Sequence, residues 1–370
     1  MLQVYYRIVV SAWKTFRFQP IFWRWTFLVP MFLAFTHLTL FLDRIFFPKY
    51  RQVEVKNPIF IIGHPRSGNT FLHKLLTQTD EFGAFQTWQI LFPSLTARVL
   101  VKPIINYLIK KNQSSLVPDK VGHGVALDKT EEEELLFFHK LDTQFVWARS
   151  PLGFDDRENP EFRFHDLQPE SRRYSSMEFF KGCLQRQIYQ TGRTQVVLQT
   201  LQSVHRIKTI LETFPDAKFI YLVRSPQDTI PSHLSILWLL LDLQLGIDNI
   251  PPHKLQRYID RRYRYNIDLY RYFYDLQKQG EIPQDRVMIV RYEQLITDLE
   301  QTFNDIVEFT NINPSEKLRQ AIKEKSLSQK TYKRRHNPVE LENFSLSKNN
   351  IYQDFDFVFK EYGFDRNIAC

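Results

Sequence analysis

The stretch Asn57-Pro58-Ile59-Phe60-Ile61-Ile62-Gly63-His64-Pro65-Arg66-Ser67-Gly68-Asn69-Thr70-Phe71-Leu72 decides the architecture. Its four consecutive apolar residues, Ile59 to Ile62, show no polar alternation, which describes a strand covered on both faces as in a parallel sheet. A loop bounded by Gly63 and Gly68 follows, and then Phe71, Leu72, Leu75 and Leu76 recur at helical spacing. Strand, glycine-bounded loop and helix turn several backbone N–H groups toward one point, where the helix dipole adds positive potential. The stretch is an anion cradle.

The two glycines have the separation of a Walker A loop, G-x-x-x-x-G-K-[ST], but Asn69 stands at the lysine position. That lysine reaches the β- and γ-phosphates of a triphosphate, so its loss disfavours triphosphate hydrolysis and leaves a cradle for a 5′-phosphate. Arg66 supplies a cation from inside the loop. Further on, Lys218-Phe219-Ile220-Tyr221-Leu222-Val223 has the form of a Walker B strand but ends in Arg224, where a magnesium-holding Asp would stand. A cation there repels Mg²⁺ and attracts phosphate. Ser232 follows eight positions later, past the Ser225-Pro226 turn, so Arg224 and Ser232 are placed to share a terminal phosphate dianion.

His64-Pro65-Arg66-Ser67-Gly68-Asn69-Thr70 resembles the 5′-phosphosulfate loop of sulfotransferases that use 3′-phosphoadenosine 5′-phosphosulfate (PAPS), in the branch whose loop reads G-H-P-R-S-G-T-T. Asn69 replaces the first threonine, and its amide would donate to a phosphate oxygen. Arg224 and Ser232 resemble the family's 3′-phosphate pair, which keeps the same interval. Arg286-Val287-Met288-Ile289-Val290-Arg291-Tyr292-Glu293-Gln294-Leu295 resembles the strand ending in Tyr-Glu-Asp-Leu, whose tyrosine, here Tyr292, approaches the nucleotide. The basic run from Lys330 to His336 is placed like the C-terminal loop that closes over the 3′-phosphate; Lys333, Arg334 and Arg335 are all candidates, against the alternative of a solvated charge cluster. The resemblance runs over residues 50 to 363. It implies PAPS as co-substrate, no metal, and a donor site of Arg66, Ser67, Gly68, Asn69, Thr70, Phe71, Arg224, Ser232, Tyr292 and the basic run. Arg66 would also neutralise charge on the leaving phosphate oxygen. One segment departs from the family: Gln199-Thr200-Leu201 stands where Lys-[Ser/Asn]-Pro is usual.

Transfer needs a base to take the acceptor's proton. Leu127-Asp128-Lys129-Thr130-Glu131-Glu132-Glu133-Glu134-Leu135-Leu136-Phe137 resembles the family's Pro-Glu-Glu-Asp-Glu-Phe signature, which makes Glu132 or Glu134 the expected base and His123 a further candidate. Read without the resemblance, Thr130 caps a helix whose first turn carries the glutamates. At about 100° per residue the four cannot all face one cleft. His64 and His73 have no ligand-spaced partners and read as structural.

The rest of the chain sets the frame. Strands are expected at Pro58–Ile62, Gln195–Leu198, Ala217–Val223 and Arg286–Val290, alternating with helical stretches that include Pro252–Gln279. This predicts an α/β protein with a doubly wound, mostly parallel sheet of the P-loop type. Residues 51–370 form the catalytic domain, and residues 1–50 an aromatic helical appendage. Trp25 to Leu42 carries no formal charge and sits at the short edge of a membrane span, so residues 13–47 are expected either to contact a membrane, spanning it or lying on it, or to pack on the main domain. The expected location is membrane-associated or cytoplasmic. A net charge of +8 suggests an anionic partner, but no finger, recognition helix or basic zipper is present, which argues against nucleic acid. Cys183 and Cys370 are too few for a disulfide framework. The expected partner is a small-molecule, lipid or carbohydrate acceptor. The competing readings are a P-loop kinase or NTPase, and a membrane-tethered nucleotide-binding protein without turnover.

Overall fold

The computed structural model describes residues 1–79, 81–117, 124–329 and 339–366. Its strands, in chain order, are β1 (Ile59–Gly63), the short β2 (Ser115–Val117) and β3 (Val125–Ala126), β4 (Val197–Gln199), β5 (Lys218–Val223) and β6 (Val287–Arg291). The helices that build the site are α1 (Leu2–Phe16), α2 (Pro20–Phe46), α3 (Asn69–Thr77), α4 (Leu95–Lys110), α5 (Glu170–Thr191), α6 (Pro226–Leu245) and α7 (Pro252–Lys278).

β1, β4, β5 and β6 form one all-parallel sheet in the order β4-β1-β5-β6. The sequence placed these strands within two residues at each end. All five residues of β1 are buried, as an apolar run without alternation requires. One sheet face packs Phe60 and Phe219 with Phe180 and Phe214, and the other packs Ile59, Ile61 and Leu222 with Leu72 and Leu76 of α3. At the end of β1, Gly63 adopts φ 138°, and a Cβ there would lie 2.3 Å from the Leu222 carbonyl oxygen. Only glycine lets the chain leave the sheet at that point.

A buried carboxyl ties the sheet to the segment before it. Glu133, fully enclosed, accepts hydrogen bonds from the backbone N–H of Phe85 at 3.0 Å and of Gln199 at 2.7 Å. Burial pushes its pKa up to about 8, although both amide donors pull the other way.

Residues 1–50 are not detached from this core. Ile8 and Phe16 of α1 and Trp25 and Leu33 of α2 join the same apolar cluster as Phe60. α2 passes through a π-turn, Arg24–Leu28, which accommodates the missing N–H of Pro30. Near its end Asp43, completely buried, accepts from the Ser94 hydroxyl, the backbone N–H groups of Leu95 and Thr96, the Thr96 hydroxyl, and Arg186 Nε at 2.6 Å. It thereby caps the start of α4, along which α2 packs. The other side of α2 is bare: only 28% of its most apolar window, with mean hydropathy 1.7, is buried.

Two stability tests follow from these carboxyls. Asp43→Ala leaves Arg186 buried without its counter-charge and is expected to cost about 3–5 kcal/mol in denaturant unfolding; a loss below about 1 kcal/mol, the scale of an exposed pair, would mean that apolar contacts alone hold α2. Glu133 gives a pH signature. Its folded pKa of about 8 lies above the ordinary 4.5, so between those values the unfolded chain releases a proton that the folded chain keeps, and stability falls as pH rises. In Glu133→Gln that decline should shrink, while an amide N–H facing a backbone donor costs about 1–3 kcal/mol at pH 5. An unchanged pH slope would show that Glu133 is ionised in the fold.

Candidate active site

The loop between β1 and α3 is built to present donors. Gly68 caps α3 at φ 96°, and a Cβ on it would meet the Tyr292 ring at 3.0 Å, so loop and Tyr292 pack directly on each other. The N–H groups of Asn69, Thr70 and Phe71 open the first turn of α3 and have no intrahelical acceptor. Arg66 is held at φ 74°, an uncommon left-handed conformation for a residue with a side chain. From there Arg66 Nε donates to the Ser232 hydroxyl of α6 at 3.0 Å. Ser67 is buried.

Asn69 does not do what the sequence suggested. It is 2% exposed and donates from Nδ2 to the His64 carbonyl at 3.0 Å, bracing the loop from inside. The same carbonyl also accepts from the Ser67 N–H at 3.3 Å, so the Asn69 amide adds a second, shorter bond that ties the helix start to the loop. Phe71 likewise turns its ring to the apolar layer under the sheet, with Lys325 Nζ 5.9 Å from its centre, so what it can offer a ligand is its backbone N–H. Thr70 receives a hydrogen bond from Gln199 Nε2 at 2.9 Å; the glutamine at the family's lysine position binds the loop itself. His64, fully buried, contacts the Asn266 side chain at 2.9 Å, and burial lowers its pKa to about 4. His73 is similarly buried and lowered to about 4.

Arg224, at the end of β5, pairs with Asp228 at 3.1 Å and lies 4.0 Å over the Tyr292 ring. Arg66, Ser232, Arg224 and Tyr292 thus come together outside the carboxyl ends of β1, β5 and β6, where open parallel sheets bind their ligands. His123, Lys333, Arg334 and Arg335 lie outside the described residues.

Beside the loop is a cavity of about 350 Å³. Pro65, Arg66 and Thr70 line it at the loop, together with Glu131, Glu132, Arg149, Gln202, His233 and Arg262. Thr87 and His139 also border it, and its remaining walls are apolar, among them Phe32, Ile90, Leu135, Phe138, Leu201 and Leu240. Thr130 caps no helix: it bridges to Gln86, and the helix that follows is a tight 3₁₀ stretch, Glu133–Lys140, entered from Glu132. The four glutamates are not a solvated first turn either, since Glu131 to Glu134 are all at least nine-tenths buried. The 3₁₀ repeat of three brings Glu132, Leu135 and Phe138 to the cavity.

This separates the two carboxyls the sequence left open. Glu132 borders the cavity; burial, with Glu134 and Glu131 nearby, pushes its pKa well above the ordinary value against the pull of Arg149. Glu134 is turned into the protein, accepting from Thr143 Oγ1 at 3.0 Å and from the Ser203 hydroxyl. Its pKa is raised by burial, with Arg206 opposing. Sequence reasoning missed Phe32, Arg149, Arg262 and His233. Only His233 carried a signal, its position next to Ser232.

A profile described as the Sulfotransferase family matches residues 58–316. Omega-hydroxy-beta-dihydromenaquinone-9 sulfotransferase Stf3 of Mycobacterium bovis is 26% identical over 326 residues, spanning 84% of this chain and 76% of the relative. The protein of the same name from Mycobacterium tuberculosis (strain CDC 1551 / Oshkosh) matches equally. Among solved structures, sulfotransferase STF9 from Mycobacterium avium superposes with a TM-score of 0.71 at 18% identity, over 97% of this chain and 90% of the other. Sulfotransferase STF1 from Mycobacterium tuberculosis H37Rv gives 0.67 at 16%, over 95% and 92%. The fold is shared with both, and with the family profile running from β1 beyond β6 the chain belongs to the sulfotransferase family.

Proposed function

We propose that the protein moves a sulfuryl group from PAPS to the hydroxyl of an apolar, lipid-like acceptor, with Glu132 as the base. One observation carries this reading: a single cavity joins Arg66 and Thr70 of the anion loop to the Glu132 carboxyl and to apolar walls. A kinase is not favoured, because position 69 is a buried asparagine and Arg224 directly follows β5.

The loop amides at residues 69–71 and Arg66 hold the 5′-phosphosulfate, Arg224 and Ser232 hold the 3′-phosphate, and Tyr292 flanks the nucleotide. The basic run at Lys333, Arg334 and Arg335 is the proposed cover. The acceptor oxygen attacks sulfur as the bond from sulfur to the phosphate oxygen breaks. Glu132 takes the acceptor's proton, and 3′-phosphoadenosine 5′-phosphate leaves with its new charge facing Arg66. The apolar walls suit a long hydrocarbon acceptor, and the name of Stf3 describes one that carries an omega-hydroxyl. Phe32 brings α2 into the cavity wall while the opposite face of α2, with Phe27, Met31, Leu38 and Phe41, stays exposed. This supports membrane contact through residues 13–47 and a membrane-associated enzyme.

Glu132→Gln is expected to lower turnover about 10²–10⁴-fold while leaving the affinity for 3′-phosphoadenosine 5′-phosphate unchanged by calorimetry. In the wild type, turnover should rise with pH as the raised Glu132 acid ionises, and that limb should vanish in the variant; an intact limb would move the base elsewhere. Arg224→Ala should weaken binding of 3′-phosphoadenosine 5′-phosphate by about 1.5–3 kcal/mol, the scale of a charged hydrogen bond, and leave 5′-AMP unaffected. Equal losses for both ligands would remove Arg224 from the 3′-phosphate site.

A further inference from the structure

A second concave site lies on the far side of the last turn of Glu133–Lys140 from the acceptor cavity. It is an open cleft of about 680 Å³ between α2, the turn Pro48–Gln52 and α5, with Lys140 at its edge. Arg44, Arg51, Lys140 and Lys181 line it, and Glu178 is the one carboxylate among its lining residues. Among the described residues none of these four cations forms a hydrogen bond or ion pair through its side chain, whereas Arg186, deeper in the cleft, is taken up by Asp43 and the Tyr50 hydroxyl. Lys140 is half-buried, and burial lowers its pKa against the opposing pull of Asp142, so a further anion beside it would add to that relief.

The rim of this cleft is the bare face of α2. Phe41 lines it and is 56% exposed, and Leu38 and Ile45 next to it are 57% and 58% exposed. A cationic floor beside an apolar helix face matches one chemistry, an anionic headgroup whose acyl chains lie along the helix. A soluble anion would need the cations and leave the apolar rim unexplained.

We propose that Arg44, Arg51, Lys140 and Lys181 form a binding site for the phosphate headgroup of an anionic phospholipid, which seats the enzyme on the membrane surface with α2 in the interface. The inference rests on the membrane contact proposed above and names the lipid class and the residues that hold it. Four cations facing one carboxylate make the interaction salt-sensitive, and each cation near an anionic surface contributes about fivefold to partitioning.

The test is co-sedimentation of the full chain with vesicles of phosphatidylcholine alone, and with vesicles in which about a third of the lipid is phosphatidylglycerol. Wild type is expected to partition about tenfold or more strongly onto the anionic vesicles. Arg44→Gln and Lys181→Gln should each remove about fivefold of that excess and leave partitioning onto phosphatidylcholine unchanged. Unaltered binding of 3′-phosphoadenosine 5′-phosphate shows that the variants are folded. Variants that match wild type on anionic vesicles would overturn the headgroup site while sparing the membrane reading. Absence of binding to either vesicle would overturn the membrane reading itself. Calorimetric binding of inorganic phosphate that is lost in both variants would replace the lipid with a soluble anion and overturn the proposal.

Discussion

The Glu133 carboxyl is the interaction on which the placement of the site depends. By accepting the N–H groups of Phe85 and Gln199 it fixes the end of β4 against the segment that precedes α4, and it sits 3.6 Å from His73 on α3. Three pieces of chain far apart in sequence are thereby held in register around the anion loop. The constraint also sorts the neighbouring carboxyls. With Glu133 turned to the sheet and Glu132 in extended backbone before a 3₁₀ helix, adjacent side chains are driven to different sides. Glu132 reaches the cavity, and Glu134 reaches Thr143 and Ser203. Burying several carboxyls in one turn is costly, and it is sustained here because Glu133 and Glu134 are hydrogen-bonded on both oxygens.

What the sequence made legible was local. β1 and β5 announced themselves because strands buried on both faces need unbroken apolar runs, and the loop because only glycine tolerates the approach of Gly63 to Leu222. Arg66, Arg224 and Ser232 could be named from their places in the loop after β1 and beyond the end of β5, and Tyr292 from the family resemblance. The cavity was not legible, because its walls come from α2, the 3₁₀ helix, α6 and α7, and no local period encodes their meeting. Arg262 read as one more cation on an Arg- and Tyr-rich helix; it is fully buried, with Gln144 at 3.0 Å and Trp147 under its guanidinium. The glutamate run failed for the same reason. Propensity and the helix dipole favour a solvated first turn, and tertiary burial overrides both.

The loss of the family's lysine at Gln199 takes one positive charge from the loop's surroundings, yet the cavity is not short of cations. Arg149 and Arg262 reach it from elements the motif does not include, and Arg66 is held toward it by a strained backbone and by Ser232. A neutral Gln199 can then serve geometry: its amide fixes the Thr70 hydroxyl, and its own N–H is the one Glu133 holds. Charge and positioning, which a lysine would combine in one side chain, are here divided among several.

α2 shows why composition alone could not choose between a span, an interfacial helix and a packed hairpin. A helix crossing a bilayer keeps most of its circumference in lipid, and a buried charge on it must be satisfied within the protein. Asp43 meets the second condition through Arg186 and the start of α4, but in doing so it commits one side of α2 to protein along its length. Phe32 extends that commitment into the cavity beside the loop. One face is therefore fastened and the opposite face, from Phe27 to Phe46, is bare. The same fastening puts Phe32 of this helix into the wall of the cavity that Glu132 borders, so the appendage and the anion loop share one enclosed space.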